Sequence, residues 1–165
     1  MQAVNPPPDG CYPNSTTAEG RKALQNLTTG VANTALGWYS LLGATGGSFN
    51  TAVGAGALDL NTADNNMAAG VAALLLNTTG INNTAIGVGA LVFNNTAEEN
   101  TATGAFAMYS NSEGDFNTAN GAFTLYFNTT GERNTAIGDS ALYSNIVGSR
   151  NNGQWQRCPR DQHDR

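Results

Sequence analysis

The chain of 165 residues is long enough for one ordinary domain, yet only 12% of it is charged and 20 positions are glycine, so something other than a large aliphatic core must hold it together. A net charge of −5 leaves no basic patch to neutralise phosphates, and nucleic acid is not an expected partner. Cys11 and Cys158 lie at opposite ends, which rules out a disulfide framework and a four-cysteine zinc site; no apolar run approaches the roughly 18 residues that cross a bilayer, so no membrane span is expected.

Residues 1–15 contain Pro6-Pro7-Pro8-Asp9-Gly10 and Pro13, a stretch that reads as polyproline II followed by a turn, either a linker or an arm that packs on a neighbouring subunit. Met1 to Pro6 lacks the charged and apolar pattern of a secretory signal, so an exported form is expected to have had its signal removed or omitted.

From residue 16 to residue 151 one motif recurs at a spacing of 17. Its copies begin at Asn33, Asn50, Asn66, Asn83, Asn100, Asn117 and Asn134; Asn66 comes one residue early, and a degenerate first copy begins at Thr16. The consensus is N-T-A-x-G-x-x-A-L-x-x-N-T-T-G-x-x. Alanine holds the third site in every copy, as in Ala35, Ala52, Ala85 and Ala136, which suits a narrow interior where two layers of backbone approach closely. Glycine at the fifth site, as in Gly37, Gly54, Gly87 and Gly138, suits a bend or a positive φ. The ninth site carries Leu41, Leu58, Leu91 and Leu142 and their equivalents and forms an aliphatic seam. The N-T-T-G stretch has the residues that turns favour.

A unit of 17 residues is too short for a two-helix repeat, and its Thr, Asn and Gly content disfavours helix. Two short strands and two turns fit it, stacked about 4.8 Å apart as about eight rungs of a parallel β-solenoid, an all-β rod of roughly 40 Å. Asn at the first site and Thr at the second become ladders. Ordering each coil costs more conformational entropy than one buried Leu and a few methyl groups return, so further apolar burial between chains is expected. Its candidates are Trp38, Tyr39, Phe106 and Phe123 at the sixth and seventh sites and the series Tyr109, Tyr126, Tyr143 at the tenth.

The N-T-A-I-G and A-L elements resemble the head repeats of trimeric autotransporter adhesins of the YadA type, whose units read S-V-A-I-G followed by a small residue. They are also similar to N-T-A-x-G-x-x-A-L repeats of bacterial surface proteins and phage tail fibres. The resemblance covers residues 16–151 and implies a left-handed parallel β-roll, usually trimeric, in an extracellular or cell-surface rod. It points to a structural subunit of a fibre or filament whose partner is a second copy of itself, as a trimer or end to end. The competing expectation is an adhesin head or tail-fibre module that binds a host glycan or receptor.

Other chemistry finds little footing. The single histidine, His163, lies in the aberrant tail, so no Ser-His-Asp or Cys-His arrangement is expected in the repeats, and the chain is read as a non-enzyme with no cofactor and no metal. Glu98-Glu99, Glu113-Gly114-Asp115 and Asp139 do not recur at calcium-ligand spacing and read as solvated turn residues. The Thr ladder could order water as an ice-binding face, but Met67 interrupts it. Sequons make Asn26, Asn77, Asn94 and Asn128 candidate glycosylation positions.

The repeat breaks off after Asn151, where a ninth copy should begin. Our hypothesis is that residues 152–165 are a frameshifted ninth repeat: with one extra nucleotide just after the Asn151 codon, the true frame can encode T-A-x-G-x-x-A-L-x-x-N-T-T. Trp155 is the sharpest check, because its unique codon, shifted against a following Gln codon, must become Gly at the fifth site; Pro159 likewise can become Leu at the ninth. Resequencing the locus should return codons compatible with that frame, and incompatible codons would reject the reading.

Overall fold

The structure, a computed structural model, describes residues 15–154. Each copy of the motif contributes one three-residue strand: β1 Thr17–Glu19, β2 Thr34–Leu36, β3 Thr51–Val53, β4 Met67–Ala69, β5 Thr84–Ile86, β6 Thr101–Thr103, β7 Thr118–Asn120, β8 Thr135–Ile137 and β9 Asn152–Gln154. All nine pair in parallel and in chain order to form a single sheet. The chain is therefore a β-solenoid. Like sites pair with like throughout, and Thr51 still aligns with Met67 although that coil is a residue short. The missing residue falls between Thr62 and Ala63, in the turn, where its loss leaves strand register untouched.

The sequence pattern suggested two strands per coil, and the structure corrects this to one. The cause lies in the backbone at the seventh, ninth and seventeenth sites, which is left-handed in every described coil. At the ninth site the buried leucines themselves adopt it, with φ of 50° at Leu41 and 53° at Leu91. Side chains with a Cβ pay for that conformation, roughly 1–2 kcal/mol each, and extended pairing cannot run through it. Hydrogen bonds nevertheless continue between coils around the whole perimeter, and their direction alternates. Thr34 N–H donates to Asn50 of the following coil and Leu41 N–H to Ala57, whereas Gly37 and Tyr39 donate back to Glu19 and Arg21.

The interior is as narrow as the third-site alanines require. Ala35, Ala52, Ala85 and Ala136 are completely buried, as are Leu41, Leu58 and Leu91; Leu142, at the last complete coil, is half-buried against the same core. Fifth-site glycines turn the chain out of the strand with φ between 113° at Gly138 and 147° at Gly70. They also touch one another, since a Cβ on Gly87 would stand 2.5 Å from the Gly104 carbonyl oxygen. Where the eighth site departs from alanine, the hydroxyl is satisfied across coils: Ser40 Oγ donates to Ala52 O at 3.1 Å and Thr124 Oγ1 to Gly138 O at 2.7 Å.

Two asparagine ladders run inside the rod. First-site asparagines accept, through Oδ1, the backbone N–H of the next first-site asparagine, as Asn66 does from Asn83 at 2.9 Å. Their Nδ2 groups donate to the carbonyl at the fifteenth site of the same coil, Asn83 to Ala97 at 2.8 Å. Twelfth-site asparagines donate to that same carbonyl from the other side, Asn94 to Ala97 at 2.8 Å, and to the Oδ1 of the preceding twelfth-site asparagine, Asn94 to Asn77 at 2.8 Å. In the second coil Ala44 holds the twelfth site and is fully buried there, so the second ladder starts only at Asn61.

β9 takes up the register of a ninth copy: Asn152 pairs with Thr135, Gly153 with Ala136 and Gln154 with Ile137. Gly153 leaves room for Leu142, whose Cγ would lie 2.5 Å from a Cβ at that position. Trp155, Cys158, Pro159 and His163, together with nearly all of the Pro-rich arm, lie outside the described residues. Among the described residues no helix is long and apolar enough to cross a membrane.

Asn94→Asp should destabilise the rod by roughly 3–5 kcal/mol at neutral pH, because it turns a buried double donor into a charge facing two acceptors. Denaturant unfolding of the purified variant measures this, and a loss below about 1 kcal/mol would contradict the ladder's role.

Candidate interaction surfaces

Two surfaces follow from which sites the coil leaves outside. On the sheet, alternation buries the alanine and turns its two strand neighbours outward. One outward row is the second-site threonines. The other is the fourth site, where Leu36, Val53, Ile86 and Ile137 are all exposed, Ile137 by 47%. Trp38, Val71 and Val88 at the sixth site continue this apolar surface. Among the described residues the threonine hydroxyls of the sheet, from Thr34 to Thr135, find no hydrogen-bond partner, in contrast with turn residues such as Thr62, whose Oγ1 donates to Thr78 O at 2.8 Å.

The second surface is an edge formed by the seventh, tenth and eleventh sites. Here the structure brings together five of the seven aromatic residues expected to mediate association. Phe106 stacks on Phe123 with centroids 5.4 Å apart. Tyr126 stacks on Tyr109 at 5.1 Å and 4° and on Tyr143 at 5.3 Å and 16°. The register that aligns the strands places these rings one above another at near the coil rise, which is the offset-stacking distance aromatic pairs favour. Trp38 and Tyr39 form a separate edge-to-face pair nearer the N-terminus, with centroids 4.5 Å apart, and Lys22 Nζ stands 5.0 Å over the Tyr39 ring.

Sequence reasoning overlooked the eleventh site, where Phe93 and Phe127 pack edge-on to Tyr109 and Tyr143 at 5.1 Å. It also overlooked the fourth-site row, although strict alternation within T-A-x signals that row directly. The seventeenth site contributes a further exposed pair, Phe116 with the Arg133 guanidinium 5.0 Å above it.

The candidate glycosylation positions divide, and three need correction. Asn77, Asn94 and Asn128 are completely buried, and their Nδ2 groups, the atoms a glycan would occupy, are donors in the inner ladder. A sugar has no room there. Asn26 alone among the four is exposed. The acidic turn residues act as hydrogen-bond acceptors: Asp64 Oδ1 receives the Ser48 N–H and Asp115 Oδ1 the Glu98 N–H, each at 2.8 Å. Among the described residues no group of three or more His, Cys, Asp or Glu side chains is placed to hold a metal.

Asp59 is the anomaly of the edge. It occupies the tenth site between Leu42 and Leu75 of the adjacent coils, its Oδ1 is buried without a hydrogen-bond partner, and burial raises its pKa above the ordinary carboxylate value.

No protein-family model, curated protein or solved structure matches this chain.

Because the folded state holds the Asp59 proton more tightly than the unfolded chain, Asp59 penalises folding above its raised pKa, and the penalty is relieved as pH falls through that value toward the ordinary carboxylate range. Asp59→Asn should therefore raise Tm at pH 7 and flatten the pH dependence in that window. Thermal melts at pH 7 and pH 4 check this, and an unchanged profile would show that the carboxylate is solvated.

Proposed function

We propose that the chain is a structural subunit of an extracellular fibre or filament, a β-solenoid rod that assembles with copies of itself and performs no catalytic step. The observation that carries this reading is the regular exposure of apolar side chains. The fourth-site row exposes a large apolar side chain in four of the eight coils, at Leu36, Val53, Ile86 and Ile137, and the aromatic edge runs through the last four. A soluble protein rarely leaves contiguous apolar surface of that extent without a partner. The ends of the sheet add a second mode of assembly. Within the described residues β1 and β9 each pair on one side only, and an edge strand is a template for another strand. The resemblance to adhesin-head and tail-fibre repeats supports the extracellular setting.

A binding module, an adhesin head or tail-fibre tip for a glycan or receptor, is the second reading, and Trp38, 57% exposed, is the observation in its favour. The tyrosines favour it less. Sugars stack on ring faces, and Tyr126 has both faces covered, by Tyr109 and Tyr143, each of which has one face covered in turn.

Electron microscopy of the purified protein should show rods joined laterally or end to end, with an axial repeat near the roughly 40 Å expected of about eight coils. Discrete single rods at micromolar concentration would remove the fibre reading and direct attention to glycan binding through Trp38.

A further inference from the structure

The edge of the rod changes character along its length. Read along the seventh, tenth and eleventh sites, seven of its eight rings lie in the C-terminal half, from Phe93 to Tyr143, with Tyr39 in the N-terminal half, and its glycine gaps fall at Gly43, Gly56 and Gly89. Charge is distributed in the same polar way. Arg21 and Lys22 stand at the sixth and seventh sites of the first coil, where the sheet face borders the edge, and Asp139 stands at the sixth site of the eighth.

We propose that this edge is a two-fold interface on which a second copy of the chain lies antiparallel, and the proposal rests on the self-assembly reading above. A two-fold axis across the rod keeps each column facing itself and inverts the order of coils, the first opposite the eighth. Four irregularities then meet a complement, while Tyr39 faces the partner's Phe123 and Gly89 the partner's Ala72. Gly56 faces the partner's Phe106, Gly43 faces the partner's Phe127, and Arg21 faces the partner's Asp139. Asp59, between two leucines in its own chain, falls opposite the partner's Tyr109, whose hydroxyl is a donor.

A parallel pair, with its two-fold axis along the rod, does the opposite. It sets Asp59 against the partner's Asp59 and the basic first coils side by side, so like charges meet at an otherwise apolar surface. The size of the face suits a stable pair: about 40 Å of rod by roughly 15–20 Å of width gives on the order of 600–800 Å² per partner, near that of a standard interface.

The test uses the full chain with Cys11→Ser and Cys158→Ser as background. Asn26→Cys and Ser144→Cys place one thiol each at the eleventh site of the first and eighth coils, where both native side chains are exposed. Oxidation of a mixture of the two variants should give the mixed disulfide dimer, with little dimer from either alone. Dimers from each variant alone would overturn the proposal. Thr84→Cys on the sheet face separates this from the wider reading: cross-linking there with none at the edge rejects the antiparallel pair and leaves self-assembly standing, whereas sedimentation as a monomer rejects both. Asp139→Arg should weaken pairing about tenfold, and adding Arg21→Asp should restore it. Loss without restoration counts against the proposed register.

Discussion

The carbonyl at the fifteenth site of each coil is the point on which the rest of the structure depends. In the coil that begins at Asn83, that carbonyl belongs to Ala97 and receives two amide groups, one from Asn83 at the start of the coil and one from Asn94 at its turn. A single acceptor thus ties together residues separated by most of a coil. Both asparagines also reach the coil before or after, so the bond that closes one coil fixes its register on the next. Buried polar groups of this kind are costly unless every donor finds an acceptor. Repetition guarantees the partner, because the same side chain recurs one coil on.

With closure assigned to asparagine, the apolar interior can be minimal. Alanine on the strand and leucine across from it fill the section, and glycine at the fifth site lets adjacent coils touch through backbone. The leucine, replaced by Met108 in the sixth coil, occupies a left-handed corner, a conformation usually left to glycine, and the ninth site is left-handed in every described coil. The strain is tolerated because the side chain is buried, fully so from Leu41 to Leu125, and the backbone on either side is held by hydrogen bonds between coils. So narrow an interior leaves much apolar side chain outside.

The surface is less repetitive than the interior for the same reason. Sites that point inward must match the coil above and below and admit almost no variation, whereas the seventh, tenth and eleventh sites face outward and vary from Gly43 to Phe127. Where an outward residue intrudes on an apolar column, as Asp59 does, the mismatch appears as an unsatisfied atom rather than as a break in the fold.

The spacing of N-T-A-x-G was sufficient to establish the solenoid, its parallel register and its Ala, Gly and Leu columns, because each depends on residues that repeat and on local sterics alone. The short third coil was legible too, since the motif simply arrives early at Asn66. The single strand per coil was not legible, because left-handed corners occupied by leucine, phenylalanine and lysine carry no glycine to announce them. The burial of Asn77, Asn94 and Asn128 was equally hidden: a sequon and a ladder asparagine have the same letters, and only the stacking of coils decides which way the amide points. The aromatic edge belongs to the same class, since sites seven, ten and eleven become neighbours only once two left-handed corners have folded the chain between them.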